Sequence, residues 1–105
     1  MTEIATKEEG AQPVFDLTIL DEAKNIVAGA RQKAYGKPED CFENIGRAWA
    51  AELSMWLKIR VPDIPGRVVS HMLSGMKLVR DCNEPKRDSL VDIVGYSLCA
   101  SRFNN

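Results

Sequence analysis

Residues 38–59 read PEDCFENIGRAWAAELSMWLKI. Within them Phe42, Ile45, Trp49, Leu53 and Trp56 recur at spacings of three, four, four and three. That is the period of one helix face. Pro38 suits a first helical turn, where its missing N–H would find no intrahelical partner anyway. Glu39 and Asp40 complement the positive end of the helix. Ala48, Ala50 and Ala51 flank the stripe and let neighbours approach. The stretch therefore predicts a helix from Pro38 to about Ile59, closed by a loop at Pro62 and Pro65-Gly66.

The same period extends outward on both sides. Upstream, Leu20, Ala23, Val27, Ala30 and Ala34 form an apolar stripe, which predicts a helix from Thr18 to Ala34. Thr18-Ile19-Leu20-Asp21 has the pattern of a capping box, and Gly36 suits a left-handed stop two residues before Pro38. Downstream, Val69, Met72, Met76 and Val79 predict the core stripe of a third helix over Arg67 to Cys82, ended by Asn83-Glu84-Pro85. A last helix runs from Asp88 or Ser89 to about Arg102, with Leu90, Ile93, Val94, Leu98 and Phe103 facing the core. Gly95 lies inside it, which suggests that another helix or a ligand packs close there.

No segment alternates with period two. The expected fold is all-α, a small four-helix bundle with mostly antiparallel neighbours. Residues 1–15 lack apolar periodicity and read as a flexible N-terminal tail, with Val14 and Phe15 docking onto the bundle. Residues 16–105 form a single helical domain. Two tryptophans on one helix of so small a chain point either to the monomer core or to a face covered by a second subunit.

Composition bounds the function. The chain has 105 residues, 45% hydrophobic and 28% charged, with 14 basic and 15 acidic side chains and a net charge of −1. This balance argues against broad nucleic-acid coating and against a polybasic membrane anchor. Cys41, Cys82 and Cys99 include no CxxC pair, and His71 is the single histidine. Reduced thiols and no zinc site are expected, with His71 in a structural role. The N-terminus lacks a signal pattern and no apolar run reaches about 18 residues, so a cytoplasmic protein is expected.

Two acidic clusters carry the candidate chemistry. Glu39, Asp40 and Glu43 share one helix start at spacings that let carboxylates converge on Mg²⁺, which prefers oxygen ligands. Asp88 and Asp92 lie one turn apart on the last helix. Each cluster alone also fits an ordinary helix N-terminus, and Ser89 with Asp92 is itself a possible capping box. Together the clusters would repel one another, and a bound cation would offset that repulsion. Lys77 and Arg80, with Lys86 and Arg87 nearby, fit a polyphosphate, or else pair with Asp81 and Glu84. Tyr35 either stacks on a base or closes its helix against the core. Met55, Met72 and Met76 are expected as core filler.

Tyr35-Gly36-x-Pro38-Glu39-x-x-Phe42, then Ile45 and Trp49, then Lys77-x-x-Arg80, then Asp88-Ser89-x-Val91-Asp92-Ile93-x-Gly95-Tyr96 resembles a family of small phage and prophage proteins known only as a domain of unknown function. The resemblance covers roughly Ile19 to Ala100. More remotely, the layout is similar to the MazG-like all-α nucleoside triphosphate pyrophosphohydrolases, in which EExxE on one helix and ExxD on a later one bind Mg²⁺. Glu39-Asp40-x-x-Glu43 stands where EExxE would, and Asp92 matches the last position of ExxD. Ser89 occupies the first position of ExxD. Asp88 lies one residue early, turned by about 100° around the helix.

The resemblance implies a protein working in a bacterial host, at least dimeric. It implies a nucleotide ligand, with Mg²⁺ as cofactor held by Glu39, Asp40, Glu43, Asp92 and secondarily Asp88. Glu39 and Glu43 would be catalytic, and Lys77, Arg80 and Tyr35 would bind substrate. The corresponding activity is a Mg²⁺-dependent (deoxy)nucleoside triphosphate pyrophosphohydrolase. The alternative, which Ser89 favours, is a non-catalytic helical phage protein that sequesters a nucleotide signal or binds and inhibits a host protein. A third possibility is an oligomerisation module with no small-molecule site.

Overall fold

A computed structural model describes residues 14–104, and among them every regular element is helical. The first helical run, α1, comprises three consecutive stretches: an α-helical Thr18–Asn25, a π-helical Ile26–Ala30 and an α-helical Arg31–Tyr35. It is followed by α2 (Pro38–Leu57), α3 (Gly66–Asn83) and α4 (Arg87–Ala100). The four expected helices are thus present, with ends shifted by one or two residues. The tail assigned to residues 1–15 falls mostly on residues 1–13, outside the described residues. Val14 and Phe15 do not dock: both are exposed.

The helix ends explain themselves locally, though not by the expected capping boxes. Leu17 occupies the N-cap position of α1 and has no side-chain cap to offer. Asp16 takes over the capping role, its Oδ1 accepting the amide of Thr18 at 3.1 Å and also the Thr18 hydroxyl. Gly36, at φ 80°, closes the run in the left-handed region, and its amide donates to the Gln32 carbonyl at 2.8 Å. At α4, Lys86 occupies the N-cap position without a side-chain cap, and Ser89 lies buried inside the first turn. The cap comes from the preceding helix instead, since Asp81 Oδ1 accepts the Lys86 amide at 3.1 Å.

α4 is the hub. Its neighbour α3 runs antiparallel to it: Arg67 reaches the carbonyl of Phe103 (3.1 Å), Ser70 donates to that of Tyr96 (2.6 Å), and Lys77 meets Asp92 (2.8 Å). α1 runs parallel to α4, an exception within an order expected to be mostly antiparallel. Arg87 grips Asp16, Glu22 and Thr18 at one end, while Val27 packs on Gly95 and the Arg31 guanidinium lies over Tyr96 further along. What packs at Gly95 is therefore a helix.

α2 enters from the C-terminal end of α4. Phe42, Val69, Tyr96, Cys99 and Phe103 form the core, with Ile45, Trp49, Ile64 and Leu73 packed against it. After the helix, Val61 donates to Ser54 Oγ at 2.8 Å and Ile64 reaches back to the Gly46 carbonyl at 3.4 Å. A Cβ on Gly46 would lie 1.9 Å from the Ile64 carbonyl oxygen, so only glycine lets the loop return this close to the helix.

Several expected core residues lie elsewhere. Met72, Met76 and Val79 are exposed, and Val69 alone of that stripe is buried. The reason is rotational: α3 turns Val69, Ser70 and Leu73 inward, and the Met72 side faces out. Leu20, Met55, Leu90 and Leu98 are exposed too, as is His71 on α3.

A mixed-charge groove as candidate functional site

The turn between α3 and α4 brings the end of one helix beside the start of the next. Asp81, bonded to the Lys86 amide, holds the two ends together. Between them lies a groove of about 450 Å³ lined by Lys77, Arg80, Asn83, Lys86, Asp88, Ser89 and Asp92, among others. Lys77 and Asp92 bridge it at 2.8 Å and are both partly shielded from water. Among the described residues, Arg80 and Asp88 have no ion-pair partner. Lys86 lies 3.8 Å from Glu84, where both are well exposed. The first turn of α4 opens into the groove through Asp88 and Ser89, and the helix dipole favours negative charge there. Three cations, a hydroxyl and a helix start suit a phosphate; the carboxylates of Asp88 and Asp92 limit how much anionic charge they can hold.

The remaining expected site residues sit at the opposite end of α4. Glu39 Oε2 accepts from Arg102 Nη2 at 2.7 Å. A hydrogen bond from its own backbone amide and the Arg102 guanidinium hold its carboxyl below the usual value of 4.5. Its other oxygen, Oε1, is buried without a partner among the described residues. Asp40 and Glu43 are exposed. Tyr35 is exposed as well, with the Arg31 guanidinium 5.1 Å from its ring centre. It lines a small recess with Cys41 and Cys99 rather than the groove. Burial pushes the Cys99 thiol up.

Arg102, which holds Glu39, is ten residues beyond Asp92, or about 15 Å at 1.5 Å per residue. The structure therefore brings together Lys77, Arg80, Asp88 and Asp92, and separately Tyr35, Glu39, Asp40 and Glu43. It does not unite the two carboxylate sets within one chain. Among the described residues, no group of three or more His, Cys, Asp or Glu side chains is placed to hold a metal ion. The expected arrangement, Asp92 facing Glu39, Asp40 and Glu43 across one site, is not met.

Sequence reasoning missed two features of the site. Ser89 and Asn83 line the groove, yet a serine at a helix start reads as a cap and an asparagine before proline reads as a stop. The anchors Arg87 and Arg102 were also missed, because their partners lie 65 to 71 and 63 residues away.

The fold and groove define a small all-α protein with a mixed-charge cleft. No helix among the described residues is long and apolar enough to cross a membrane. The chain belongs to the family described as a domain of unknown function, DUF6378, which matches residues 18–104. The Gene 55 protein of Mycobacterium phage D29 is 34% identical over 87 residues, covering 82% of this chain and 53% of the phage protein. The chain thus spans about half the length of that relative. These similarities support a small phage-type protein of unknown function, in line with the first of the two resemblances. No solved structure matches.

Proposed function

We propose that this protein binds the phosphates of a nucleotide in the groove between α3 and α4 and holds it without hydrolysing it. The observation that carries this reading is the meeting of Lys77, Arg80 and Lys86 with the first turn of α4 in one 450 Å³ groove. That volume falls within the ordinary range of small-ligand sites. Lys77 and Arg80 contact phosphate oxygens, and the base extends along the groove. Hydrolysis of the MazG-like kind asks for Glu39, Asp40, Glu43 and Asp92 around one Mg²⁺, and these carboxylates lie at two ends of α4. As a metal set within one chain they do not fit. Mg²⁺ belongs to this reading only as the usual companion of a polyphosphate, for which Asp88 and Asp92 are the carboxylates lining the same groove. Sequestering a nucleotide is an activity that a phage-type protein can exert in a host without catalysis.

Titration calorimetry with a panel of nucleoside mono-, di- and triphosphates, with and without Mg²⁺, tests it. Binding is expected for at least one nucleotide, weakening as salt rises. Lys77→Ala and Arg80→Ala should each weaken it about tenfold, the loss of one charge-assisted hydrogen bond. No pyrophosphate should be released. A panel without any binding heat sinks the nucleotide reading. Pyrophosphate release that disappears in Glu39→Gln overturns its non-hydrolytic part.

A further inference from the structure

We infer that Cys41 and Cys99 form an oxidisable pair, which peroxide joins into a disulfide clasping the start of α2 to the end of α4. Both thiols are free, and both line the recess of about 10 Å³ beside Tyr35. That space holds at most one water, so the side chains around it are near neighbours. Cys41 also packs against the core cluster to which Cys99 belongs. Phe42, next to Cys41, meets Tyr96, one turn before Cys99, at 6.3 Å between ring centres. The Glu39–Arg102 pair joins the same two helix ends at 2.7 Å. A disulfide needs Cα atoms within about 7 Å, and the link through Gly36, with nothing within 4 Å of where its Cβ would lie, lets the start of α2 adjust. The third thiol, Cys82, is exposed near the end of α3 and does not line this recess.

Unequal exposure divides the roles. Cys99 is 3% exposed, and burial pushes its thiol up against the pull of the Arg31 and Arg102 guanidiniums. Cys41 is only partly buried, so it meets the oxidant first. Its sulfur attacks one oxygen of hydrogen peroxide and the O–O bond breaks. One oxygen stays on Cys41 as a sulfenic acid, and the other leaves with the thiol proton as water. The Cys99 sulfur then attacks the Cys41 sulfur. The S–O bond breaks, the S–S bond forms, and hydroxide leaves with the Cys99 proton as a second water. Two thiols lose two electrons, and one peroxide takes them up. The new bond closes a loop that contains all of α3. Such a loop stabilises the fold mainly by constraining the unfolded chain.

The test uses the full chain carrying Cys82→Ser, which removes a route to cross-links between copies, and it does not depend on the nucleotide groove. Hydrogen peroxide in native buffer should lower the mass by two hydrogens, and dithiothreitol should restore it. Peptide mapping should recover Cys41 and Cys99 in one cross-linked pair. In a glutathione redox buffer the folded chain should hold the bond at least about thirtyfold more strongly than the chain unfolded in urea. The oxidised chain should melt roughly 8–16 °C higher than the reduced one. In Cys99→Ser, Cys41 should gain oxygen and form no internal bond. A folded chain that keeps both thiols, or gains oxygen at Cys41 without losing two hydrogens, overturns the inference. So does a bond held no more strongly in the folded chain than in urea. Should Cys99→Ser fail to fold, the peptide map and the glutathione ratio of the Cys82→Ser chain decide.

Discussion

Replacing Asp92 with asparagine separates phosphate binding from metal-dependent hydrolysis, because the two predict opposite signs. Asp92 Oδ2 lies 2.8 Å from Lys77 Nζ, so the carboxylate occupies the cation that a phosphate would use. A phosphate taking that place beside Lys77 would sit about 5 Å from the Asp92 carboxylate. In a groove open to water, two like charges at that distance repel by about 1 kcal/mol. Removing the charge should therefore strengthen nucleotide binding roughly fivefold. The fold should persist, since a partly exposed ion pair contributes at most about 1 kcal/mol, which bounds the fall in melting temperature at about 4–8 °C for a domain of this size. Calorimetry on Asp92→Asn beside the unmodified chain, at one salt concentration, measures the ratio of affinities, and a thermal melt checks the fold. A folded Asp92→Asn that binds nucleotide more weakly in the absence of Mg²⁺ would refute the role of Lys77 as the phosphate contact; weaker binding confined to buffer containing Mg²⁺ would make Asp92 a ligand of the ion that accompanies the polyphosphate.

Other perturbations test the scaffold. Gly46→Ala places a Cβ 1.9 Å from the Ile64 carbonyl oxygen and 3.0 Å from its carbon. That backbone cannot rotate away, so an overpacking cost of about 3 kcal/mol, less about 1 for helix propensity, should lower the melting temperature by about 8–16 °C; an unchanged melt would place the 58–65 segment elsewhere. Ser70→Ala deletes a fully buried hydrogen bond to the Tyr96 carbonyl and should cost about 1 kcal/mol, read as a lower urea midpoint at constant slope. For acid stability, the Thr18 and Arg87 contacts hold Asp16 below its usual 3.8, and its own amide and Arg102 hold Glu39 below 4.5. Depressed carboxyls stabilise above their unfolded values and lose that contribution as pH falls through the folded ones. Melting temperature should thus begin to fall below about pH 4.5, and Arg87→Ala or Arg102→Ala should flatten the decline; an acid limb as steep in both variants would remove these pairs from the account.

Helix periods were legible in the sequence because a period of 3.6 is a local property, and the α2 stripe declares it within 22 residues. Gly36 was legible for the same reason, since a left-handed stop depends on one residue's own φ. The rotation of α3 was not. Val69, Met72, Met76 and Val79 have the right period for a core face, but two apolar stripes share that helix, and periodicity cannot say which of them faces inward. Capping misled for a related reason. Ser89 and Thr18 carry the right side chains, yet the helices begin before them, at Lys86 and Leu17, and the amides of Lys86 and Thr18 are taken by Asp81, from a preceding helix, and Asp16, from two residues upstream.

Bringing charges together is harder still to read, because it depends on helix direction. Had α2 met α4 at its N-terminal end, Glu39 would have lain beside Asp92. The loop through Gly46 and Ile64 and the contact of Phe42 with Tyr96, at 6.3 Å between ring centres, instead set the start of α2 against the far end of α4. Each end of the hub helix then acquires its own charge arrangement. At the far end Arg102 is committed to Glu39, and at the near end Arg87 is committed to Asp16 and Glu22. In the α3–α4 groove, by contrast, Arg80 and Asp88 stand without ion-pair partners among the described residues. At the start of α2 the arginine that faces the acids is already taken by Glu39, whereas Arg80 has no such partner, which is why an anionic ligand should be sought in that groove before the more acidic start of α2.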